Sequence, residues 1–139
     1  MILTVNRLPP KVTVGTIGEV LVQLKLLMFG VESFPPLKDS GNDLVAYFGS
    51  SFAAIQVKTK QAKGWSMPNE ETLYHVLALV DLDKNHSLDN SIIFLLTRKE
   101  AEEQRRQIGN GTLADRFCLS GKRLEELREL DQRQQLSTV

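Results

Sequence analysis

Two kinds of apolar pattern divide the chain. Between Thr13 and Phe29, the residues Val14, Ile17, Leu21, Leu24 and Met28 recur at spacings of three and four, the period of one face of an α-helix. Val20, Leu27 and Phe29 widen this stripe, Thr13 or Thr16 is placed to cap its start, and Gly30 to end it. Beyond Gly30 the apolar residues come instead in short unbroken runs. These are Leu44-Val45-Ala46-Tyr47-Phe48, Phe52-Ala53-Ala54-Ile55, Val76 to Val80 with Leu82, and Ile92-Ile93-Phe94-Leu95-Leu96. Runs of this length bounded by turn residues predict strands, and their lack of alternation predicts strands covered on both faces. The first two, roughly 43–48 and 52–59, are joined by Gly49-Ser50-Ser51 as a turn.

The connections follow from their breakers. Pro9-Pro10 marks an extended lead-in, and Pro35-Pro36, Asp39, Gly41 and Asn42 allow at most a short strand and then a loop. Residues 60–68 form a polar loop carrying Trp65, residues 69–74 a short helical turn, and residues 83–90 a polar connection. From Arg98 the chain becomes charged. It predicts a helix over 99–107 stopped by Gly109-Asn110-Gly111, a second over 113–117, and a third over about 121–135. Ser120 caps the third, with Leu124, Leu127 and Leu130 as its apolar edge. A helix, a run of strands and then helices predict an α/β domain, a mixed sheet of four or five strands covered by helices. At 139 residues one domain is expected over 1–139, with a C-terminal helical segment from about 98.

Composition narrows the function classes. The 17 basic and 17 acidic residues cancel, which excludes attachment to nucleic acid by bulk charge and leaves room for a local basic groove. The single cysteine, Cys118, rules out an internal disulfide and a cysteine-built zinc site. With no signal pattern and no long apolar run, a soluble cytoplasmic protein without a membrane partner is expected.

Candidate chemistry gathers in the first two strands. Gln56 and Lys58 share one strand face while Val57 turns to the other. An unpaired buried lysine is costly, so this pair calls for a nearby carboxylate, and Asp43 opens the preceding strand. Glu19 is the only acid inside the first helix. Phosphodiester hydrolysis needs an oxygen-bound divalent ion, an activated water and positive charge near the developing oxyanion. Asp43 offers a hard oxygen ligand, joined by the Gln56 amide oxygen and the Val57 backbone carbonyl. Lys58 is placed to orient the water, and Glu19 to accept a hydrogen bond from it. The plain alternative is a strand-edge acid, a surface amide and a snorkelling lysine.

Gly18-Glu19 in an early helix, Gly41-Asn42-Asp43-Leu44-Val45, and Ile55-Gln56-Val57-Lys58-Thr59 together resemble the restriction-endonuclease-like, or PD-(D/E)XK, nuclease superfamily. The resemblance spans about residues 13–97. Asn42 stands where the family has proline. Gln56 stands where it has an acid, which removes one negative charge and makes the chain similar to the Q-X-K variants among Mrr-like restriction proteins and homing endonucleases. The resemblance implies a three-layer sandwich and hydrolysis of DNA, with RNA as the other substrate, dependent on Mg²⁺ or Mn²⁺. It also implies a homodimer or a partner subunit as the source of sequence choice. The alternative is a catalytically inactive module that keeps the fold to bind nucleic acid or protein, and both Gln56 and the neutral net charge favour it.

Other motifs weigh less. Lys58, Lys60 and Lys63 are spaced to follow a nucleic-acid backbone with Trp65 stacking on a base, or else to sit on a solvated loop anchored by a core tryptophan. Asp81 to Asp89 imitates the start of a calcium loop, but His86 and Ile92 stand where glycine and glutamate are needed. His75 and His86 are too isolated for a metal centre, and a packing or capping role suits His75. Cys118 reads as a small core residue.

Overall fold

The computed structural model describes residues 8–37 and 42–137. The expected lead-in before Leu8 and the loop at 38–41 lie outside them. The elements run α1 (Pro10–Met28), β1 (Ser33–Phe34), β2 (Leu44–Phe48), β3 (Ser51–Lys60), β4 (Val76–Asp81), β5 (Ile92–Thr97), α2 (Arg98–Glu103), α3 (Arg105–Asn110), a 3₁₀ turn (Asp115–Phe117) and α4 (Gly121–Ser137). The strands form one five-stranded sheet in the order β1-β2-β3-β4-β5. Only the β3–β4 pair is parallel; β1–β2, β2–β3 and β4–β5 are antiparallel. This is the mixed α/β sheet between helices that the patterning predicts.

Helix α1 begins earlier than expected and without a side-chain cap. Pro10 occupies its first turn, where a missing N–H costs nothing, and Thr13 donates both its N–H (3.1 Å) and its hydroxyl (3.3 Å) to the Pro9 carbonyl. Gly30, at φ +81°, ends the helix; its N–H donates to Leu27 and that of Val31 to Leu26. The apolar stripe of α1 places Leu21, Val22 and Leu26 against Leu44, Ile55, Val57 and Val80 of the sheet, and Leu124 and Leu127 of α4 complete that core. The second core lies on the other face. There Leu77, Leu79, Phe94 and Leu96 meet Trp65, Ala101 of α2, Ile108 of α3 and Phe117 of the 3₁₀ turn.

Four expectations change. Strands β4 and β5 are covered on both faces, but β2 and β3 are not, and Tyr47 and Phe52 are exposed. The helices of the second layer pack mainly on β4 and β5, so the apolar runs of β2 and β3 were misleading about burial. The 99–107 helix breaks at Gln104 into α2 and α3, and α3 ends at Gly111 with φ +77°. Residues 113–117 make only the 3₁₀ turn, and 69–74 only a turn closed by Thr72 N–H on the Asn69 carbonyl.

The last helix is tied down by charge. Ser120 Oγ accepts from Arg123 N–H (3.0 Å) at its start. The Arg123 side chain, 3% exposed, donates to the Leu95 carbonyl (3.0 Å), to Glu126 (3.1 Å) and to the Glu100 carboxylate. Burial pushes the Glu100 carboxyl up, but the Thr97 N–H and the Arg123 guanidinium outweigh it and hold the group below its usual range. A depressed carboxylate stabilises the fold above its unfolded pKa, and the contribution is lost as pH falls through the folded value. Glu100→Gln is therefore expected to cost about 2 kcal/mol near neutral pH. The difference should shrink toward zero in urea titrations repeated well below pH 4.5.

Candidate active site

The site forms where β3 changes neighbours. Residues Ser51 to Ile55 of β3 pair with β2, and residues Ile55 to Lys60 pair with β4. Past Ile55, therefore, no described strand pairs with the β2 edge of β3. Backbone polar groups alternate sides along a strand. Asp43 N–H reaches Ile55 O (3.1 Å) toward β2, while Ala54 O takes His75 N–H (2.9 Å) and Lys60 O takes Leu82 N–H (2.8 Å) toward β4. Val57, in phase with Ile55, directs its N–H and C=O into the gap.

Asp43 fills part of that gap. Its Oδ2 accepts from Val57 N–H (2.8 Å) and from Gln56 Nε2 (2.9 Å). The carboxylate thus replaces the missing strand for one ladder bond and orients the amide of Gln56. The other amide atom, Gln56 Oε1, is buried with no hydrogen-bond partner. A buried acceptor left unpaired costs about 1–3 kcal/mol, and an oxygen so placed is suited to a cation.

Glu19 arrives from the opposite layer. It sits on α1 one turn before the buried Val22, and its carboxyl is near enough to Asp43 for the two charges to interact. Burial raises the Glu19 pKa above 4.5, and the neighbouring Asp43 carboxyl raises it further. Two carboxyls forced together in this way share a proton or are neutralised by a cation. Among the described residues no three of His, Cys, Asp and Glu converge on a metal site. Any ion held by the described residues would therefore rest on Asp43 and neutral oxygens, those of Gln56 and the Val57 carbonyl, with Glu19 beside it. This all-oxygen donor set fits a hard cation such as Mg²⁺.

The approach of α1 depends on a glycine inside the helix. Gly18 is buried, and a Cβ there would lie 1.8 Å from Thr59 Oγ1 and 2.9 Å from Thr59 Cβ. Thr59 Oγ1 is itself buried and unpartnered. The only available signal was a glycine inside an otherwise helical stretch, which costs about 1 kcal/mol against alanine and so calls for a packing reason.

The other candidates separate. Lys58 is half-buried on the Gln56 face of β3, opposite Leu79 in the register. Lys60 is paired with Asp81 (3.3 Å) and stands 4.7 Å over the Trp65 ring. Lys63 is exposed. Trp65 is not available to stack on a base. It is 5% exposed, donates through Nε1 to Val80 O (2.9 Å) and packs edge-on to Phe94, the core tryptophan of the alternative reading. His75 caps the β3 edge, its Nδ1 accepting from Ala54 N–H (2.9 Å). Asp83 spends Oδ2 on the N–H groups of Asn85 (2.9 Å) and Ser87 (3.2 Å) within its own loop.

No protein-family model matches the chain, and no curated protein matches it. Among solved structures it is similar to that of a bacterial homing endonuclease, I-Ssp6803I, with a TM-score of 0.49 and 13% identity over 64% of this chain and 70% of that one. Among the described residues no helix is long and apolar enough to cross a membrane.

Proposed function

We propose that this chain is a Mg²⁺-dependent nuclease, with Mn²⁺ as a substitute ion, that hydrolyses DNA phosphodiester bonds at the opening beside β3. One observation carries the reading. Two acids from different layers, Glu19 and Asp43, come together beside a buried amide oxygen where, among the described residues, β3 has lost β2 as its neighbour. The PD-(D/E)XK-like order of these residues along the chain agrees with it.

Asp43, the Gln56 amide oxygen and the Val57 carbonyl would hold the ion. When bound, it supplies Lewis-acid stabilisation of the phosphate and a more acidic water. Asp43 also keeps Gln56 in its orientation through the 2.9 Å bond. Lys58 places a positive charge on the face of the strand where the scissile phosphate approaches, and stabilises the charge that builds on its oxygens. Glu19, once ionised, accepts a proton-bearing contact from the attacking water and positions it. A homodimer or a partner subunit would supply the sequence choice.

The second reading is an inactive module of the same fold. Gln56 in place of an acid favours it, because two carboxylates are all that meet at the site among the described residues. Plasmid DNA incubated with Mg²⁺ or Mn²⁺ separates the two readings. Cleavage by the parent and a rate about a hundredfold lower in Lys58→Ala are expected. Equal cleavage in both proteins, or none in either, would leave the binding module as the better description.

A further inference from the structure

The half of the sheet that carries Asp43 and Gln56 has one face with no described helix over it. On that face Phe34, Tyr47 and Phe52 are 46%, 45% and 59% exposed. The register brings them together, since Tyr47 lies opposite Phe52, and Phe34 lies opposite Val45. The rings of Tyr47 and Phe52 meet edge to face with centroids 4.7 Å apart, and Phe34 joins Phe52 at 6.4 Å in the same manner. Side chains two apart on a strand share a face, so Phe52 stands on the face of Gln56 and Lys58, and Tyr47 on that of Asp43. By strand rise Phe52 is roughly 13 Å from Gln56, within reach of nucleotides flanking a phosphate held there.

We propose that this aromatic trio is a nucleobase platform, on which unpaired bases of a single DNA strand stack while its backbone runs toward Lys58. Keeping three large rings in water is a cost that the core does not require. Edge-to-face packing fixes the rings while leaving outer faces open. Charge selects nucleic acid over an apolar partner: among the described residues Lys58 forms no ion pair, so its ammonium is available to a phosphate on the same face. Stacking is tolerant of sequence, because every base has a π-face. The inference rests on the nuclease reading only for where the phosphate lies.

The test is fluorescence anisotropy with a labelled single-stranded oligodeoxynucleotide in EDTA, where cleavage does not enter. The parent should bind. The double variant Tyr47→Leu/Phe52→Leu, which keeps apolar area but removes flat rings, should bind about tenfold more weakly or worse, with an unchanged melting temperature. Phe52→Trp should bind as tightly as the parent or tighter. Undiminished binding by the double-leucine variant, or no binding by the parent, overturns the platform. A dimer in sedimentation velocity that Phe52→Asp dissolves would assign the patch to a second copy and overturn it equally. Ring-dependent binding by a protein that cuts no plasmid leaves the platform standing while the nuclease reading falls.

Discussion

Asp43→Ala is expected to lower metal-dependent DNA cleavage by about a thousandfold or more. The expectation rests on three roles meeting in one side chain. Asp43 is the carboxylate best placed to hold the ion, it orients Gln56, and it satisfies the Val57 N–H left open by the departure of β2. Removing it leaves one backbone donor and one amide without their acceptor. Asp43→Asn is the cleaner variant, since it keeps an acceptor for Val57 while deleting the charge. It should fold, bind Mn²⁺ too weakly for calorimetry to detect, and cleave at the residual rate. Retained metal affinity in Asp43→Asn would remove Asp43 from the ligand set.

Glu19 supplies the pH signature of the same loss. Its raised pKa comes first from burial and then from Asp43, so in Asp43→Asn it should fall part of the way back toward 4.5 without reaching it. An acid whose pKa is raised by folding opposes the fold once it is ionised. The metal-free parent should therefore lose stability as pH rises from 4.5 through the folded pKa of Glu19. Metal affinity should climb over the same interval. Carboxyl titration by NMR, with melting curves across that range, reads both.

Gly18→Ala is the second large effect. The added methyl would overlap Thr59 Oγ1 at 1.8 Å and press on Thr59 Cβ at 2.9 Å. Part of this belongs to a rotatable side chain, but the Cβ does not move without the strand. The helix must therefore lift from β3. Overpacking of this kind costs about 1–3 kcal/mol, and the displacement carries Glu19 away from Asp43. Cleavage should drop by more than the loss of folded protein explains, and the Glu19 pKa should shift toward its ordinary value. Adding Thr59→Gly restores the room, so the double variant should recover activity even though a strand glycine lowers its melting temperature. Failure of that recovery would mean that Gly18 serves the fold and not the site.

How much of this was legible beforehand depended on whether a feature was local. Unbroken apolar runs in the later strands announced β4 and β5, and the mixed α/β sheet followed from the order of elements. The polar pair at Gln56 and Lys58 stood out because a two-residue period is visible in a single strand. What required the third dimension was coverage. Tyr47 and Phe52 sit in runs as apolar as those of β4, and only the positions of α2 and α3 decide that they face water. Trp65 left two readings open, because its neighbours are polar while its ring is held by Val80 and Phe94, and its burial selects the core-anchoring one. Gly18 was invisible as a contact, since nothing in the helix pattern says which strand residue lies beneath it.

The exchange of neighbours along β3 also bears on when the site comes into being. The β2–β3 half is a hairpin closed by a tight turn at Gly49-Ser50. The β3–β4 half is a parallel pairing that must wait for the chain to return from Lys60 to Val76. Closing the longer loop pays its entropy before any contact rewards it, so such pairings form slowly. Asp43 and Gln56 belong to the early hairpin, yet Gln56 to Lys60 are fixed as a strand only by β4, and Glu19 is seated only when α1 settles on both halves. A folding intermediate that holds its hairpin but lacks the crossover has every residue of the site and no place for an ion.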